Sequence, residues 1–419
     1  MSDATEPGVA VADPDGSPEG PRLSYVGALD GVRALAVAAV IAYHAGVTHV
    51  TGGFLGVDAF FTLSGFLITS LLLGESRRTG TIALGGFWAR RARRLLPCLL
   101  LVLCFVGLFS WLAVPQGQYP GLRLDSLATL FYVANWHFIL QGSSYFSQVL
   151  PLSPLTHTWS LAIEEQFYVV WPLVVLAAVA LFRRSAATVL LVVASAGALA
   201  STVWMRADAP GHLSDPTRLY YGTDTHAMTI LVGAALACAL ALLAKGRDPS
   251  TLRARGALGV AAQALGGAGA AVLAYLAVTV DFKTPWLYLK GGYLLAGLAA
   301  AAVLVSVVTV PNGPLGRALS LPPVRFVGRV SYGLYLWHYP LFLWLDHAHT
   351  GFSGLHLLAV RVVATLCVAT ASFYLVERPI RHGLVLRGTR AVLATAGAVV
   401  ATVSMILATS LAAALPASA

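Results

Sequence analysis

The sequence predicts an all-α, polytopic membrane protein, and three observations carry that reading. The chain of 419 residues is 58% hydrophobic and only 11% charged, whereas soluble domains carry about 25% charged residues. Its mean hydropathy is +0.76. Apolar runs of bilayer-spanning length recur along it, and its basic residues collect in short loops on one side of those runs. A formal net charge of +9 would suit a nucleic-acid partner, but this one-sided distribution is the positive-inside pattern of a membrane protein.

In chain order, residues 1–24 are rich in Pro, Gly and acids (Asp3, Glu6, Asp13, Asp15, Glu19) and are predicted to be a disordered cytoplasmic N-terminus. No basic stretch with a cleavage site opens the chain, so the first apolar run is expected to be an uncleaved anchor. The predicted spans are 33–50, 53–73, 95–114, 159–182, 186–205, 225–244, 258–280, 287–309, 330–346, 354–375 and 391–414. With the N-terminus inside, alternation puts most arginines on the inner side, among them Arg77, Arg78, Arg90, Arg91, Arg93, Arg94, Arg183, Arg184, Arg378 and Arg381. The run 122–140 is apolar enough to span, yet counting it would move the later arginines outside. It is therefore expected to be a re-entrant or surface-lying segment on the outer side, roofing the interior. Residues 25–385 form the predicted membrane domain and 386–419 an additional C-terminal transmembrane helix, with no domain expected after Ala419. Cys98, Cys104, Cys238 and Cys367 lie in apolar runs without metal-ligand spacing, so neither zinc nor a disulfide framework is expected.

The helix predicted over Asp30 to His44 carries the first candidate site. Eleven residues separate Arg33 from His44, which gives about 16 Å of rise over about three turns, so both side chains project from nearly one face. An imidazole near mid-membrane is expensive unless paired or hydrated, which makes a functional site the default reading. A packing role with a hydrogen-bond partner is the bland alternative. FWARRARRLLP puts Arg90, Arg91, Arg93 and Arg94 beside the membrane, able either to hold phosphates or to anchor on anionic headgroups. THTWSLAIEEQFYVVWP places Glu164 and Glu165 two turns beyond His157, so that one of them shares its face. Ser64, in TLSGF, lacks the nucleophile-elbow pattern and reads as a helix-packing residue. RLYYGTDTHA places Arg218, Asp224 and His226 at an outer mouth, and SYGLYLWHYPLF buries His338.

Six strings, LDGVRALAVAAVIAYH, DAFFTLSGFLI, FWARRARRLLP, HTWSLAIEEQFY, SYGLYLWHYPLF and VERPIR, occur in one order, and over about 25–380 the chain resembles the bacterial acyltransferase 3 membrane family. The resemblance implies a ten-helix core and transfer of an acyl group, usually acetyl, from acyl-CoA to a hydroxyl of a carbohydrate or small natural product. It implies essential roles for Arg33 and His44, a basic motif at Arg91 and Arg94, and a second motif at Trp159, Ser160, Glu164, Glu165, Gln166 and Tyr168. Members often carry arginine where this chain has His226. Some carry a soluble esterase-like domain after an eleventh helix.

Together these give a membrane O-acyltransferase of the inner membrane. His44 is the expected general base, since imidazole titrates near working pH, and an acyl-histidine intermediate is the alternative route. Glu165, or Glu164, is expected to orient it or bind acceptor hydroxyls. Arg33, Arg91, Arg94 and Arg90 are expected to hold the phosphates of acetyl-CoA, the donor substrate, with no permanently bound cofactor and no metal. Asp30, Trp159, Ser160, Tyr168, His157, Asp224 and His338 are the candidate acceptor-contacting groups. The expected partners are acyl-CoA, a hydroxyl-bearing glycan or small molecule, and the bilayer, with no nucleic acid. A transporter or flippase would also place histidine and carboxylates at mid-depth, and a lipid-binding scaffold would tolerate loss of His44; turnover of acetyl-CoA without a gradient discriminates among the three.

Overall fold

The computed structural model describes residues 25–113, 121–142, 153–245 and 252–381, with 397, 399 and 401–403. Among the described residues every regular element is helical. Seven helical stretches are long and apolar enough to cross a bilayer, and the chain is a multi-pass membrane protein. The expected disordered stretch 1–24 and nearly all of the expected span 391–414 lie outside the described residues.

Helix α1 (Gly27–His44) buries Ala28, Gly31, Val32, Ala34, Ala36, Val37 and Val40. The sequence predicted a run to residue 50, but the helix stops at His44. Gly46 adopts a left-handed φ of 72°, and the chain doubles back so closely that a Cβ on Gly53 would stand 2.3 Å from the Ala39 carbonyl. His44 is thus a C-terminal helix residue.

Helix α2 (Gly56–Thr79) is the most deeply enclosed, with 83% of its apolar window buried. Helix α3 (Leu84–Ala113) is one 30-residue element with Pro97 inside it. It starts a full three turns before the predicted span, so the arginine motif is part of the membrane helix itself. The run 122–140 is two short helices, α4 (Leu122–Leu130) and α5 (Ala134–Leu140), joined through Tyr132 at φ 56°. At 9 and 7 residues, neither reaches the ~20 residues a spanning helix needs. Gln166 braces this segment, donating to the Tyr132 carbonyl and to Asn135 Oδ1, both at 3.0 Å.

Helices α6 (Trp159–Phe182) and α7 (Ala186–Asp208) turn at Arg183, where φ is 41°. There follow α8 (Met228–Leu243), α9 (Gly256–Thr279), α10 (Gly292–Thr309), α11 (Ser331–Trp344) and α12 (Gly354–Ser372). The predicted span 287–309 is broken, because Gly291 takes a left-handed φ of 77° and separates Pro285–Leu289 from α10. Helix α2 packs against α1, α6, α8 and α10. Its seam with α8 depends on two glycines: a Cβ on Gly65 would meet the Ile230 carbonyl oxygen at 1.8 Å, and one on Gly233 the Thr62 carbonyl oxygen at 1.9 Å. Small residues are what let membrane helices approach this closely.

Candidate active site

Three histidines from three elements meet near the end of α1. His338 Nε2 lies 2.9 Å from His44 Nδ1, and the His338 ring is 5.4 Å from that of His157. Tyr339 packs edge-on against His44, with ring centroids 5.0 Å apart. Helix α11 supplies His338 and Tyr335 three residues apart, hence on one face. The Tyr335 hydroxyl donates to the His157 carbonyl at 2.6 Å and shares a 2.6 Å hydrogen bond with Ser160 Oγ.

Tyr335 also lines a cavity of about 60 Å³ together with Arg33, Phe60, Ser64, Ser160 and Glu164. The Glu164 carboxylate accepts from both Ser64 Oγ and Tyr168 Oη. The Arg91 guanidinium lies over the Tyr168 ring at 5.0 Å, a cation–π contact that gains strength out of water. Arg33, Arg94, Ser331 and Tyr332 line this cavity and also a second, of about 140 Å³, that reaches Tyr25, Arg329, Glu377 and Arg381. The two cavities share a wall of four residues and run from four guanidinia (Arg33, Arg94, Arg329, Arg381) to the tyrosine that touches the imidazoles. At the basic end the Tyr25 hydroxyl donates to Asp30 at 2.6 Å. Burial, and then the neighbouring Asp30 carboxylate, push its pKa up, so it stays a donor.

The structure brings together Arg33, Arg91, Arg94, Ser160, Glu164 and Tyr168, and separately His44, His157 and His338. Asp30 lines the basic cavity beside Arg33. Four of the expected residues stand elsewhere than the sequence reading placed them. A partner of the His44 imidazole is His338, where the sequence suggested Glu165; Glu164 faces the cavity, while Glu165 Oε1 is buried without a hydrogen-bond partner. Arg90 turns to Glu75 at 3.6 Å instead of joining Arg91 and Arg94 in the cavity lining. Trp159 is 1% exposed and stacks on Tyr221 at 5.1 Å, which makes it a core aromatic. Asp224 forms a partly exposed pair with Arg218 at 2.6 Å and accepts from Trp204 Nε1 at 3.0 Å, away from both cavity linings.

Sequence reasoning missed Tyr335, Arg329 and Arg381. Tyr335 had a usable signal, its three-residue spacing from His338; the two arginines had only their place at the basic ends of apolar runs. It also missed the fully buried contact between His226 Nε2 and Asp58 Oδ1 at 2.9 Å. Ser64, read as a packing residue, is in addition a donor to Glu164.

The Asp224 pair gives a pH expectation. Burial raises that carboxyl, but the hydrogen bonds and charge of Arg218 outweigh it and hold the pKa below the ordinary value. A depressed folded-state pKa contributes stability that is present above the ordinary carboxylate range and is lost as pH falls through the lowered value. Asp224→Asn is expected to flatten the acid limb of a melting-temperature profile while changing stability at neutral pH by less than about 1 kcal/mol, the scale of an exposed pair; an unchanged acid limb contradicts this.

Long apolar helices around a polar, histidine-bearing interior with a basic end define a multi-pass membrane protein. The chain belongs to the acyltransferase 3 family: that family's model, described as an acyltransferase domain, matches residues 26–412. It is similar to O-acetyltransferase OatA of Staphylococcus aureus, 36% identical over 358 residues, covering 85% of this chain and 57% of that protein. It is also similar to peptidoglycan O-acetyltransferase OatA of Listeria monocytogenes, 37% identical over 366 residues, covering 85% of this chain and 56% of that protein. The chain thus spans little more than half the length of these relatives. No solved structure matches it.

Proposed function

We propose that this protein transfers an acetyl group from cytoplasmic acetyl-CoA to a hydroxyl of a cell-envelope glycan on the opposite side of the membrane. The observation that carries the reading is the pair of adjoining cavities that runs from four guanidinia to Tyr335, whose ring lies 5.6 Å from that of His338. Guanidinium groups bind phosphate through paired, charge-assisted hydrogen bonds, so the wide basic cavity suits the phosphates of the donor. The pantetheine arm follows the shared wall at Arg33 and Arg94, and the rise of about 16 Å along α1 is comparable with that arm's reach. The acceptor class rests on the relatives' names, which specify O-acetyl transfer and, for one, peptidoglycan.

In this reaction His44 takes the proton of the acceptor hydroxyl as its oxygen attacks the thioester carbonyl. Collapse of the tetrahedral intermediate breaks the C–S bond, and the proton passes to the departing thiolate to give the free thiol of CoA. Tyr335 and Ser160 border the cavity where the thioester arrives, and Glu164, held by Ser64 and Tyr168, faces it. The topology that goes with this chemistry has a cytoplasmic N-terminus, a ten-helix core, an eleventh C-terminal helix, and 122–140 as a re-entrant segment on the acceptor side. The two short helices α4 and α5 support that last placement.

The test is turnover of acetyl-CoA by purified full-length chain in detergent, with a glycan acceptor and no ion gradient. CoA release and acetylated product are expected; none from well-folded protein overturns the proposal. Arg33→Ala is expected to raise the apparent KM for acetyl-CoA about tenfold or more, the ~1.5–3 kcal/mol of a hydrogen bond to a charged group. An unchanged KM removes Arg33 from the donor site.

A further inference from the structure

The hydrogen positions in the histidine group follow from its neighbours. Pro340 lies inside α11 and has no amide hydrogen, so the carbonyl of Leu336, four residues earlier, lacks its helical donor. His157 Nε2 donates to that carbonyl at 3.2 Å, which ties the turn before α6 to this stretch of α11. Within the same stretch, His338 Nδ1 faces the carbonyls of Tyr335 at 2.6 Å and Leu334 at 3.2 Å. Carbonyl oxygens only accept, so Nδ1 carries hydrogen. His338 is 0% exposed and meets no carboxylate among the described residues, and a buried ring so placed is neutral. Its lone pair is therefore on Nε2, the atom 2.9 Å from His44 Nδ1. That leaves His44 Nδ1 as the donor and puts the His44 lone pair on Nε2.

We propose that His338 is a positioning residue that holds His44 in the Nδ1–H tautomer, making His44 Nε2 the atom that accepts the proton of the acceptor hydroxyl. This rests on the reading of His44 as the base. A base held in one tautomer by a third group is the general logic of activated nucleophiles. Here the third group is an imidazole whose own tautomer is set by backbone carbonyls, so the alignment introduces no charge at membrane depth.

The experiment has two arms on the full chain in detergent. Nitrogen-15 NMR of histidine-labelled protein, with His44 assigned by its loss in His44→Gln, is expected to show a protonated Nδ1 and an unprotonated Nε2. His338→Gln presents an amide oxygen close to where Nε2 lies and is expected to keep both that pattern and kcat within about tenfold, whereas His338→Leu lowers kcat about 10²–10⁴-fold, the range of general-base catalysis, with the KM for acetyl-CoA unchanged. A protonated Nε2 on His44 in the unsubstituted protein overturns the proposal, as does equal loss in the Gln and Leu variants, or full kcat in His338→Leu. The NMR arm needs no turnover, so it separates failure of this proposal from failure of the assigned reaction.

Discussion

His44→Ala is expected to stay inserted and folded while its transfer rate falls about 10²–10⁴-fold. The size follows from the role, since a positioned general base contributes about 10²–10⁴-fold. The fold should survive because His44 is the last residue of α1 and only half-buried. The apolar side of the helix, from Ala28 to Val40, is untouched by the change. Neighbouring Tyr43, Tyr339 and His338 lose a ring contact, worth about 0.5–1.5 kcal/mol, and the buried His338 Nε2 loses its donor, a further cost of about 1–3 kcal/mol. The measurement is the initial rate of CoA release with a glycan acceptor, on protein shown by gel filtration to match the parent. Retained turnover ends the assignment of His44, and a variant that fails to insert assigns it a structural role.

Gly65→Val is expected to be the most destabilising single change in the membrane core, at about 3 kcal/mol, the upper end of ordinary overpacking. Its Cβ would stand 1.8 Å from a backbone oxygen of α8, where no side-chain rotation relieves the clash, and Gly233 makes the reciprocal contact. Separating α2 from α8 also pulls on the buried pair Asp58–His226 and on Ser64, a donor to Glu164, so whatever folds should transfer poorly. Gly74, on the same helix, has no atom within 4 Å of an added Cβ. Gly74→Ala should therefore gain the roughly 0.5–1 kcal/mol of helix propensity that alanine has over glycine. Detergent melting curves decide the matter: equal midpoints for Gly65→Val and Gly74→Ala would show that the close approach is not essential.

The membrane class and the first helix were legible because hydropathy and charge are local properties that a bilayer reads directly. Helix ends were less so. Nothing in the apolar composition of 45–50 or 287–291 distinguishes a continuing helix from one interrupted by a left-handed glycine, yet Gly46 and Gly291 decide those boundaries. Helical spacing placed one of Glu164 and Glu165 on the face of His157, but which of them reaches a cavity depends on Ser64 from a helix about 100 residues away. The choice of His338 over a glutamate as partner of His44 is likewise a contact across 294 positions. Arg90 belongs to the same motif as Arg91 and Arg94, and only the arrival of Glu75 on α2 diverts it.

The wall shared by the two cavities carries a pharmacological consequence. Because Arg33, Arg94, Ser331 and Tyr332 belong to both, a compact polyanion lodged among Arg33, Arg94, Arg329 and Arg381 would stopper the wide end of the proposed donor path. Such a blocker need not mimic a sugar.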